Sequence, residues 1–350
     1  MKRDKARLHR KHPIPSSFDA GLVTVIMPTF NRDSLIATAL ASVGAQDYRP
    51  LEVIVVDDGS TDATAGVVER FLAEHQTEGV QWCYVRQANR GPAAARNHGL
   101  GLSRGQYIQF LDSDDTLHPR KIRLQVEHAR AKPGQVVYGE WVTVYRCGDV
   151  QSPEHAGNNP RIGCDLVEEY LSGRFIAAHA ILWPRETMVS LGGWDESFAA
   201  YEDPDLLLRA AMDGWKLSFC DGSIATYYRD VDNEGNVSTR RSEAAYRSQL
   251  RYHLRLEGLL AAKGCLEPYA PAFERFFLGR AISLALVYPR LARFCLAHAT
   301  PCSPGANVRR SLAWSLLWLH SVLSAVIGRA RATAVLGKVH SVARALRAKR

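Results

Sequence analysis

The chain has 350 residues, of which 46% are hydrophobic and 23% charged, a balance that excludes a fibrous or largely disordered protein. The net charge of +8 comes from the end of the chain. Residues 275–350 contain 13 Lys and Arg and no Asp or Glu, whereas residues 1–274 contain 31 basic and 36 acidic residues, a net of −5. We therefore expect no nucleic-acid partner, but a basic tail suited to an anionic membrane surface.

Cysteine usage and the N-terminus predict a cytoplasmic protein. The seven cysteines are scattered and include no C-x-x-C pair, which is typical of reduced thiols and does not favour zinc. The N-terminal segment MKRDKARLHRKHPIPSS is basic, but no apolar run follows it that could serve as a signal peptide. We expect a protein that is peripheral on the cytoplasmic face of the membrane.

Apolar runs alternate with amphipathic segments over the first 120 residues. The runs predict strands in VTVIMPTF (23–30), LEVIVVD (51–57), VQWCYVRQ (80–87) and YIQFL (107–111). Helical spacing follows the first two runs, and a third helix is predicted after the Gly-Pro turn that follows the third run. This alternation predicts an α/β fold with a mostly parallel sheet covered on both faces, which binds ligands at the carboxyl ends of its strands.

The pattern is less regular after residue 120. A helix is predicted around KIRLQVEHARA and one strand in QVVYGEWVTVY, followed by a loop rich in Gly, Pro and Asn. After residue 240 the chain turns helical. We expect a basic N-terminal extension, a main domain with two halves and a helical, basic C-terminal region. The predicted boundaries are 1–21, 22–240 with halves 22–120 and 121–240, and 241–350.

Polar clusters follow the first two predicted strands. PTFNR, residues 28–32, lacks the G-x-G-x-x-G pattern of a dinucleotide-binding turn, which disfavours a dehydrogenase; an ordinary Asn cap is the alternative. VVDDGSTD brings Asp57 and Asp58 to the end of the second strand. A carboxylate there can accept hydrogen bonds from a ribose or a base, although a capping turn is again the alternative.

A third cluster, FLDSDD, places Asp112, Asp114 and Asp115 within four positions at the end of an apolar run. Neighbouring carboxylates repel one another, and a plain surface turn is one interpretation. A Mg²⁺ or Mn²⁺ ion held between carboxylates and a substrate diphosphate would compensate the repulsion. FLDSDD is therefore a candidate metal site at the same edge of the sheet.

A fourth cluster, YEDPDLLLR, predicts a helix with Glu202, Asp203 and Asp205 in its first turn. Acidic residues at that position are stabilised by the helix dipole, by about 0.3–1 kcal/mol each. The alternative is that one of them is a general base facing the strand ends. Spacing alone does not decide between these interpretations.

Together these segments resemble the family 2 glycosyltransferases, which have the GT-A fold, invert the anomeric configuration and depend on a metal ion. The resemblance spans residues 22–230 and rests on VTVIMPTFNR, EVIVVDDGSTD, NRGPAAARNHGL, YIQFLDSDD, GGWDESF and YEDPDLLLR. No single element is decisive, but their order and spacing are specific. The resemblance implies a GT-A type sheet flanked by helices and a Mn²⁺ or Mg²⁺ cofactor.

The resemblance also implies site residues. Asp58 would contact the uracil or other base, Asp112 would face the ribose, and Asp114 would bind the metal directly. Asp115 would only cap the following turn. For the nucleotide sugar as a whole, the candidates are Pro28, Thr29, Phe30, Asn31, Arg32, Asp57, Asp58, Gly91, Asp112 and Ser113.

The implied reaction is an inverting transfer from a nucleoside diphosphate sugar, with a UDP-sugar favoured, to a hydroxyl of a glycan or lipid-linked acceptor in surface polysaccharide or glycolipid synthesis. Asp203, the second member of the family's acidic dipeptide, is preferred to Asp205 as the catalytic base. It would take the hydroxyl proton, and one displacement would invert the anomeric carbon.

On the acceptor side, the aromatic ring of Trp194 could stack on a sugar. His179 is interpreted as a satisfied buried histidine rather than an acceptor contact. Asp230 and Asp232 stand where relatives often have a His, so a third protein ligand to the metal is not predicted. The candidates near the acceptor or the diphosphate are Trp194, Glu202, Arg229 and Arg240.

The tail contains SLAWSLLWLHSVLSAVIG, residues 311–328, which has no formal charge and is at the lower length limit for a membrane span. Four Ser and His320 dilute its apolar character, so we expect a helix lying on an anionic membrane surface. A second, basic amphipathic helix is predicted at 335–346. The alternative is that these helices pack on the main domain or on a second subunit.

Two rival functions are weaker. A nucleotidyltransferase would need a Gly-rich, Lys- or Arg-bearing loop after the first strand, which PTFNR does not provide. A catalytically inactive partner that binds a sugar nucleotide or assembles a membrane complex is disfavoured by the intact Asp112, Asp114 and Asp203.

Overall fold

The computed structural model of the chain describes two compact units, which together comprise residues 13–76, 78–147, 150–160, 163, 165–198, 200–230, 242–299 and 306–327. The first lies within Met1–Cys164 and Gly173–Arg240, and the second within Asp165–Ser172 and Arg241–Arg350. Nothing in the sequence pattern indicated that Asp165–Ser172 belongs with the C-terminal residues. The division of the main domain into two halves stays a prediction.

The first unit is built around a seven-stranded sheet with the order β11-β6-β10-β4-β1-β2-β3. Within it β1 runs parallel to β2 and β4, and β2 runs parallel to β3, whereas β10 is antiparallel to β4 and β6. The predicted mostly parallel sheet is confirmed. The strands of the unit are β1 (Asp19–Thr29), β2 (Leu51–Asp57), β3 (Val80–Arg86), β4 (Gly105–Phe110), β5 (Thr116–Leu117), β6 (Gln135–Tyr138), β7 (Trp141–Cys147), β8 (Val150–Gln151), β9 (His155–Ala156), β10 (Ile181–Pro184), β11 (Lys216–Phe219) and β12 (Ala225–Asp230).

The strand register brings the predicted polar clusters to one edge of this sheet. Thr29 at the end of β1 pairs with Asp57 at the end of β2, and Ile26 pairs with Phe110 directly before the FLDSDD turn. Because β1, β2 and β4 are parallel, their carboxyl ends face the same side, where ligands bind in such sheets. The prediction that these clusters lie together is confirmed.

A smaller sheet has the order β5-β12-β7-β8, with β9 paired to β7. The prediction of one strand in QVVYGEWVTVY is wrong, because the segment is divided between the two sheets as β6 and β7. The division falls at Gly139, where a Cβ atom would lie 2.0 Å from the backbone oxygen of Ser223. Only glycine permits the chain to pass so close to this backbone and change sheet.

The helices of the first unit cover the main sheet. Of the five residues that helical spacing placed on one face, helix α1 buries Ile36, Ala39, Leu40 and Val43, whereas Leu35 precedes the helix and is only partly buried. Helix α3 packs on β1 and β2. The helices of this unit are α1 (Ile36–Gly44), α2 (Thr64–Glu74), α3 (Pro92–Leu102), α4 (Lys121–Ala131), α6 (Arg185–Leu191) and α7 (Glu202–Met212).

Gly99 sets the distance between α3 and the sheet. A Cβ atom at this position would lie 2.5 Å from the side chain of Ile26 and 3.2 Å from that of Val56. The first distance is far below normal contact, so any side chain at position 99 would push the helix outward. Ala94 and Ala95 of the same helix are also buried. Small residues therefore hold α3 close to the strand ends.

The second unit is helical. Its helices are α5 (Leu166–Leu171), α8 (Glu243–Ala262), α9 (Ala270–Leu284), α10 (Pro289–His298) and α11 (Ala306–Ile327). Helix α9 packs against α5, α10 and α11. Among the described residues, no helix is long and apolar enough to cross a membrane. The second tail helix predicted at 335–346 lies outside the described residues.

Candidate active site

Hydrogen bonds join the turn after β1 to the turn after β2. Asn31 has a left-handed backbone conformation, with φ of 52°, which asparagine tolerates well. Its N–H donates to Ser60 Oγ at 3.0 Å, and its Oδ1 accepts from the N–H of Thr61 at 2.8 Å. The N–H of Arg32 donates to Thr64 Oγ1 at 2.8 Å. Two clusters predicted separately from the sequence thus form one surface.

The other predicted nucleotide residues differ in exposure. Pro28 and Thr29 are buried at the end of β1, and Ser113 is also buried, whereas Phe30 is 42% exposed. Gly91 precedes the first residue of α3 and has a φ of 90°, which glycine adopts without steric strain. Phe30 is therefore the member of this group with a side chain free to meet a ligand from solvent.

The carboxylates of Asp57 and Asp58 are buried and hydrogen-bonded. Asp57 accepts from the N–H of Ser60 at 2.7 Å and from the hydroxyl of Tyr84 at 2.8 Å. Asp58 accepts from the N–H groups of Arg90 at 2.9 Å and Gly91 at 2.7 Å, and from Gln87 Nε2 at 2.8 Å. Asp58 thus fixes the loop that begins α3. A role in contacting the base stays a prediction.

Asp115 ties the FLDSDD turn to β12. Its buried carboxylate accepts a hydrogen bond from the N–H of Tyr228 at 2.8 Å, and its other oxygen lies 3.1 Å from Nδ1 of the buried His179. The predicted role of Asp115 as a local cap is wrong, since its carboxylate bonds to distant segments. His179 is buried, but the prediction that it is satisfied holds only for Nδ1, since its buried Nε2 has no hydrogen-bond partner among the described residues. Although burial lowers the pKa of His179, the charges of Asp115 and Asp112 raise it overall.

The surroundings of Asp114 disfavour its ionised form. Burial, together with the charges of Asp115 and Asp112, raises its pKa to about 7, and the guanidinium of Arg32, at 3.4 Å, offsets this only in part. A divalent cation would relieve this repulsion, so the residues fit a metal bound through one or two carboxylates and substrate oxygens. Over the part of the chain that is described, no three His, Cys, Asp or Glu side chains cluster closely enough to hold a metal by themselves.

Arg96 of α3 is the centre of a buried charge cluster. Its guanidinium donates to Asp112 Oδ1 at 2.7 Å and to Glu202 Oε1 at 3.1 Å, and lies 3.9 Å from Asp203 Oδ1. It also lies over the ring of Trp194, 4.6 Å from the ring centroid. Burial tends to raise the pKa of Asp112, but the charge and hydrogen bond of Arg96 outweigh it and lower that pKa. We refer to Arg96, Asp112, Glu202 and Asp203 as the arginine cluster.

The acidic residues at the start of α7 have different surroundings. Asp205 accepts from Arg209 Nε at 2.7 Å, and Arg209 donates in turn to the backbone oxygens of Leu191 and Gly193. Asp205 is therefore used to fix the preceding loop. The side chain of Asp203 is 36% exposed, and its Oδ1 accepts no hydrogen bond from the residues that the structure describes.

The pKa of Asp203 is raised to about 7. Burial is the main cause, and the neighbouring charges of Glu202 and Asp112 add to it, while Arg96 acts in the opposite direction. A partly exposed carboxylate with a pKa near neutrality suits a general base. These observations favour Asp203 over Asp205 for that role.

Comparison with known proteins identifies the family. The model of the family described as Glycosyl transferase family 2 matches residues 24–235. The chain belongs to this family. The predicted enzyme class is thereby confirmed, and the nucleotidyltransferase alternative is excluded.

Similar sequences come from bacterial polysaccharide and glycan synthesis. The amylovoran biosynthesis glycosyltransferase AmsB of Erwinia amylovora is 28% identical over 59% of this chain and 69% of its own length. The succinoglycan biosynthesis protein ExoO of Rhizobium meliloti is 38% identical over 33% of this chain. A GalNAc(5)-diNAcBac-PP-undecaprenol beta-1,3-glucosyltransferase of Campylobacter jejuni is 37% identical over 27% of this chain. The matches span only 31% of ExoO and 30% of the C. jejuni enzyme.

Solved structures of glycosyltransferases share the fold. S. aureus TarS, residues 1–349 in complex with UDP-GlcNAc, matches with a TM-score of 0.60 and 17% identity, over 92% of each chain. The mannosyltransferase PcManGT of Pyrobaculum calidifontis, in complex with GDP-Man and Mn²⁺, matches with a TM-score of 0.51 and 19% identity, over 94% of this chain and 90% of its own. This family 2 glycosyltransferase therefore has the predicted GT-A fold.

Trp194 is 3% exposed, so little of its ring surface is open to a sugar. Its ring packs edge-on against Phe110 with centroids 4.9 Å apart, and its backbone N–H donates to Asn97 Oδ1 at 2.9 Å. The ring also lies against the guanidinium of Arg96. Stacking of Trp194 on a sugar stays a prediction. Arg229, a partly buried residue of β12, also stays a candidate. Arg240 and Asp232 lie outside the described residues.

Sequence reasoning did not select Arg96, although the residue lies in NRGPAAARNHGL. The signal was the charged side chain that follows three alanines in a helix starting at a strand end. A cation in such a small-residue segment is buried with the helix and needs acidic partners. Those partners come from residues 112, 202 and 203, which are distant in sequence, so no local pattern shows them.

Proposed function

We propose that this enzyme transfers a sugar from a nucleoside diphosphate sugar, with a UDP-sugar as the favoured donor, to a hydroxyl of a glycan or lipid-linked acceptor, with inversion at the anomeric carbon. The names of AmsB and ExoO support a role in surface polysaccharide or glycolipid synthesis. The C. jejuni relative, named for an undecaprenol-linked substrate, supports a lipid-linked acceptor. The UDP-GlcNAc bound to TarS supports the donor class.

The arginine cluster is the observation that carries this proposal. Arg96 holds Asp112, at the predicted donor side, within 2.7 Å, and Glu202, at the predicted acceptor side, within 3.1 Å. Asp203 lies next to Glu202 with a pKa raised to about 7. A base is therefore held beside the donor site, as a single displacement between two bound substrates requires.

In the proposed reaction the carboxylate of Asp203 takes the proton from the acceptor hydroxyl. The hydroxyl oxygen then attacks the anomeric carbon, and the bond from that carbon to the diphosphate oxygen breaks. The electron pair leaves with the nucleoside diphosphate. One attack from the face opposite the leaving group inverts the configuration.

The donor is proposed to bind along the turns at residues 28–32 and 57–58, with Gly91, Asp112 and Ser113. Asp114 would hold Mn²⁺ or Mg²⁺, since its ionised form needs a compensating charge. When bound, the metal supplies positive charge to the departing diphosphate. Arg229 and Arg32 are candidates for additional positive charge on the same group.

We further propose that the enzyme works at the cytoplasmic face of the membrane, held by its basic C-terminal region. Residues 275–350 carry 13 basic and no acidic residues, which favours contact with anionic lipid. A lipid-linked acceptor would be present at that surface.

The proposal is tested by binding and by turnover. Thermal shift is measured with UDP-sugars and GDP-mannose, with and without Mn²⁺, and release of nucleoside diphosphate is then followed for each donor that stabilises the protein. The expected result is Mn²⁺-dependent stabilisation by one donor class and turnover that Asp203→Asn abolishes. Asp213→Asn, an exposed position at the end of α7, is the matched control. Full turnover by the Asp203→Asn variant would exclude Asp203 as the base.

A further inference from the structure

Helix α11 has one face that packs inside its own unit. Ala313, Leu317 and His320 are buried and are four and three positions apart, so they share one side of the helix. The helix packs against α9 and α10, which belong to the same unit. These contacts lie within the second unit, so packing of the tail on the main domain or on a second subunit stays an untested alternative.

The opposite face of α11 is exposed and mostly apolar. Trp314 and Trp318 lie one helical turn apart and are 55% and 68% exposed. From 311 to 322 the helix contains no charged side chain. The large hydrophobic side chains exposed on it are Leu312, Trp314, Trp318, Leu319 and Val322. Ser311, Ser315 and Ser321 are exposed on the same side, so the surface is mostly apolar with hydroxyl groups among its hydrophobic side chains. An exposed surface with several large hydrophobic side chains marks an interaction site. We refer to these five residues as the tryptophan face.

The charges of the neighbouring helices indicate what covers the tryptophan face. Helices α10 and α11 contain no acidic residue, and α10 exposes Arg290 and Arg293. The rest of the chain from 275 onward is equally free of acidic residues. A second copy would bring the same positive charges together, which is unfavourable. An anionic lipid surface instead attracts them.

Tryptophan also matches the chemistry of a membrane surface. Its ring is largely apolar but carries an N–H donor, so it is stable at the level of the lipid headgroups, where one side is apolar and the other is wet. A helix with one packed face and one apolar face can lie in the plane of that surface.

We propose that the tryptophan face of α11 docks on an anionic membrane surface, with Trp314 and Trp318 inserted at the headgroup level. This inference rests on the membrane location in the proposed function and not on its sugar chemistry. Trp314 and Trp318 dominate the binding.

Sedimentation of the full chain with lipid vesicles tests the proposal. Vesicles contain either phosphatidylcholine alone or phosphatidylcholine with phosphatidylglycerol. Binding is expected to the anionic vesicles and to weaken with salt. Trp314→Ser is expected to weaken binding about tenfold, and the double variant with Trp318→Ser more than the single one. Val150→Ser, which removes an exposed hydrophobic side chain of β8, is the matched control and is expected to bind normally.

Three results would overturn the proposal. The first is unchanged vesicle binding by the double variant. The second is an absence of quenching of the wild-type tryptophan fluorescence by brominated lipid in anionic vesicles, a measurement that needs no variant. The third is a dimer in analytical ultracentrifugation that the double substitution dissociates while vesicles bind neither form, which would make a second copy the occupant.

Turnover separates this inference from the proposed function. The double variant is expected to release nucleoside diphosphate from the donor with a soluble acceptor at the wild-type rate, because Trp314 and Trp318 belong to the second unit and not to the site. A wild-type enzyme that binds anionic vesicles through the tryptophan face but turns over no donor would refute the sugar chemistry and leave the docking surface intact.

Discussion

The acidic residues after β2 have surroundings opposite to those of Asp114 after β4. After β2, hydrogen-bond donors surround Asp57 and Asp58, including the backbone N–H groups of Ser60, Arg90 and Gly91. After β4, Asp114 has acidic neighbours and a pKa raised to about 7. The carboxylates of Asp57 and Asp58 thus have their hydrogen-bond partners within the protein. The carboxylate of Asp114 is instead stabilised by added positive charge, such as that of a metal ion.

Asp203, like Asp114, has a pKa raised to about 7. Its substitution is expected to have the largest effect on turnover. Asp203→Asn should lower kcat about a thousandfold, since the amide cannot accept the acceptor proton. Nucleotide-sugar binding should be nearly unchanged, because the side chain is placed at the acceptor side. Steady-state turnover and donor titration measure the two quantities, and a parallel loss of both would point to a structural role.

The two turns themselves are compared by matched substitutions. Asp58→Asn places an amide N–H against the donors of residues 90 and 91, so it should lower the free energy of unfolding by about 1–3 kcal/mol. Asp114→Asn removes a repelled charge and should leave the protein as stable as before or more so, while Mn²⁺-dependent donor binding is lost. Urea unfolding and thermal shift with Mn²⁺ check both variants. Equal destabilisation by the two changes would remove the contrast.

The pH dependence of turnover tests the electrostatics of the arginine cluster. With the pKa of Asp203 near 7, its basic form is present above that pH, so kcat/KM should fall about tenfold per unit below it. Arg96 opposes the raised pKa, so Arg96→Gln should move the midpoint of the profile to higher pH. Arg123→Gln on α4 removes an exposed guanidinium and should leave the midpoint in place. A profile that Arg96→Gln does not shift would show that the guanidinium does not act on the base.

A smaller effect is expected on how the free energy of unfolding depends on pH. Asp114 and Asp203 keep their protons to about pH 7 in the folded state but lose them near pH 4 when unfolded. The unfolded state therefore binds fewer protons between these values, and these two groups make stability fall as the pH rises across that window. The double variant Asp114→Asn with Asp203→Asn should show a flatter dependence of Tm on pH. A steeper dependence would contradict the raised pKa values.

The parts of the site that follow from local pattern were predictable from sequence. Strand ends, the turn at residues 28–32 and the choice of Asp203 depend on residues close together in the chain or on the family resemblance. The bond from Asp115 to β12 and the acidic partners of Arg96 could not be predicted, because each joins segments far apart in sequence. The change of sheet at Gly139 was missed for the same reason, since its cause is the backbone of residue 223.

Gly99 has a consequence for how this enzyme tolerates mutation. The position lies one helical turn after Arg96 on α3. A single added methyl group would lie 2.5 Å from Ile26 and force the helix away from the strand ends. The displaced helix would move the guanidinium of Arg96 with it. An alanine at position 99 would therefore lower kcat without itself contacting the site. Screens for loss of activity should therefore recover changes at position 99 in protein that still folds.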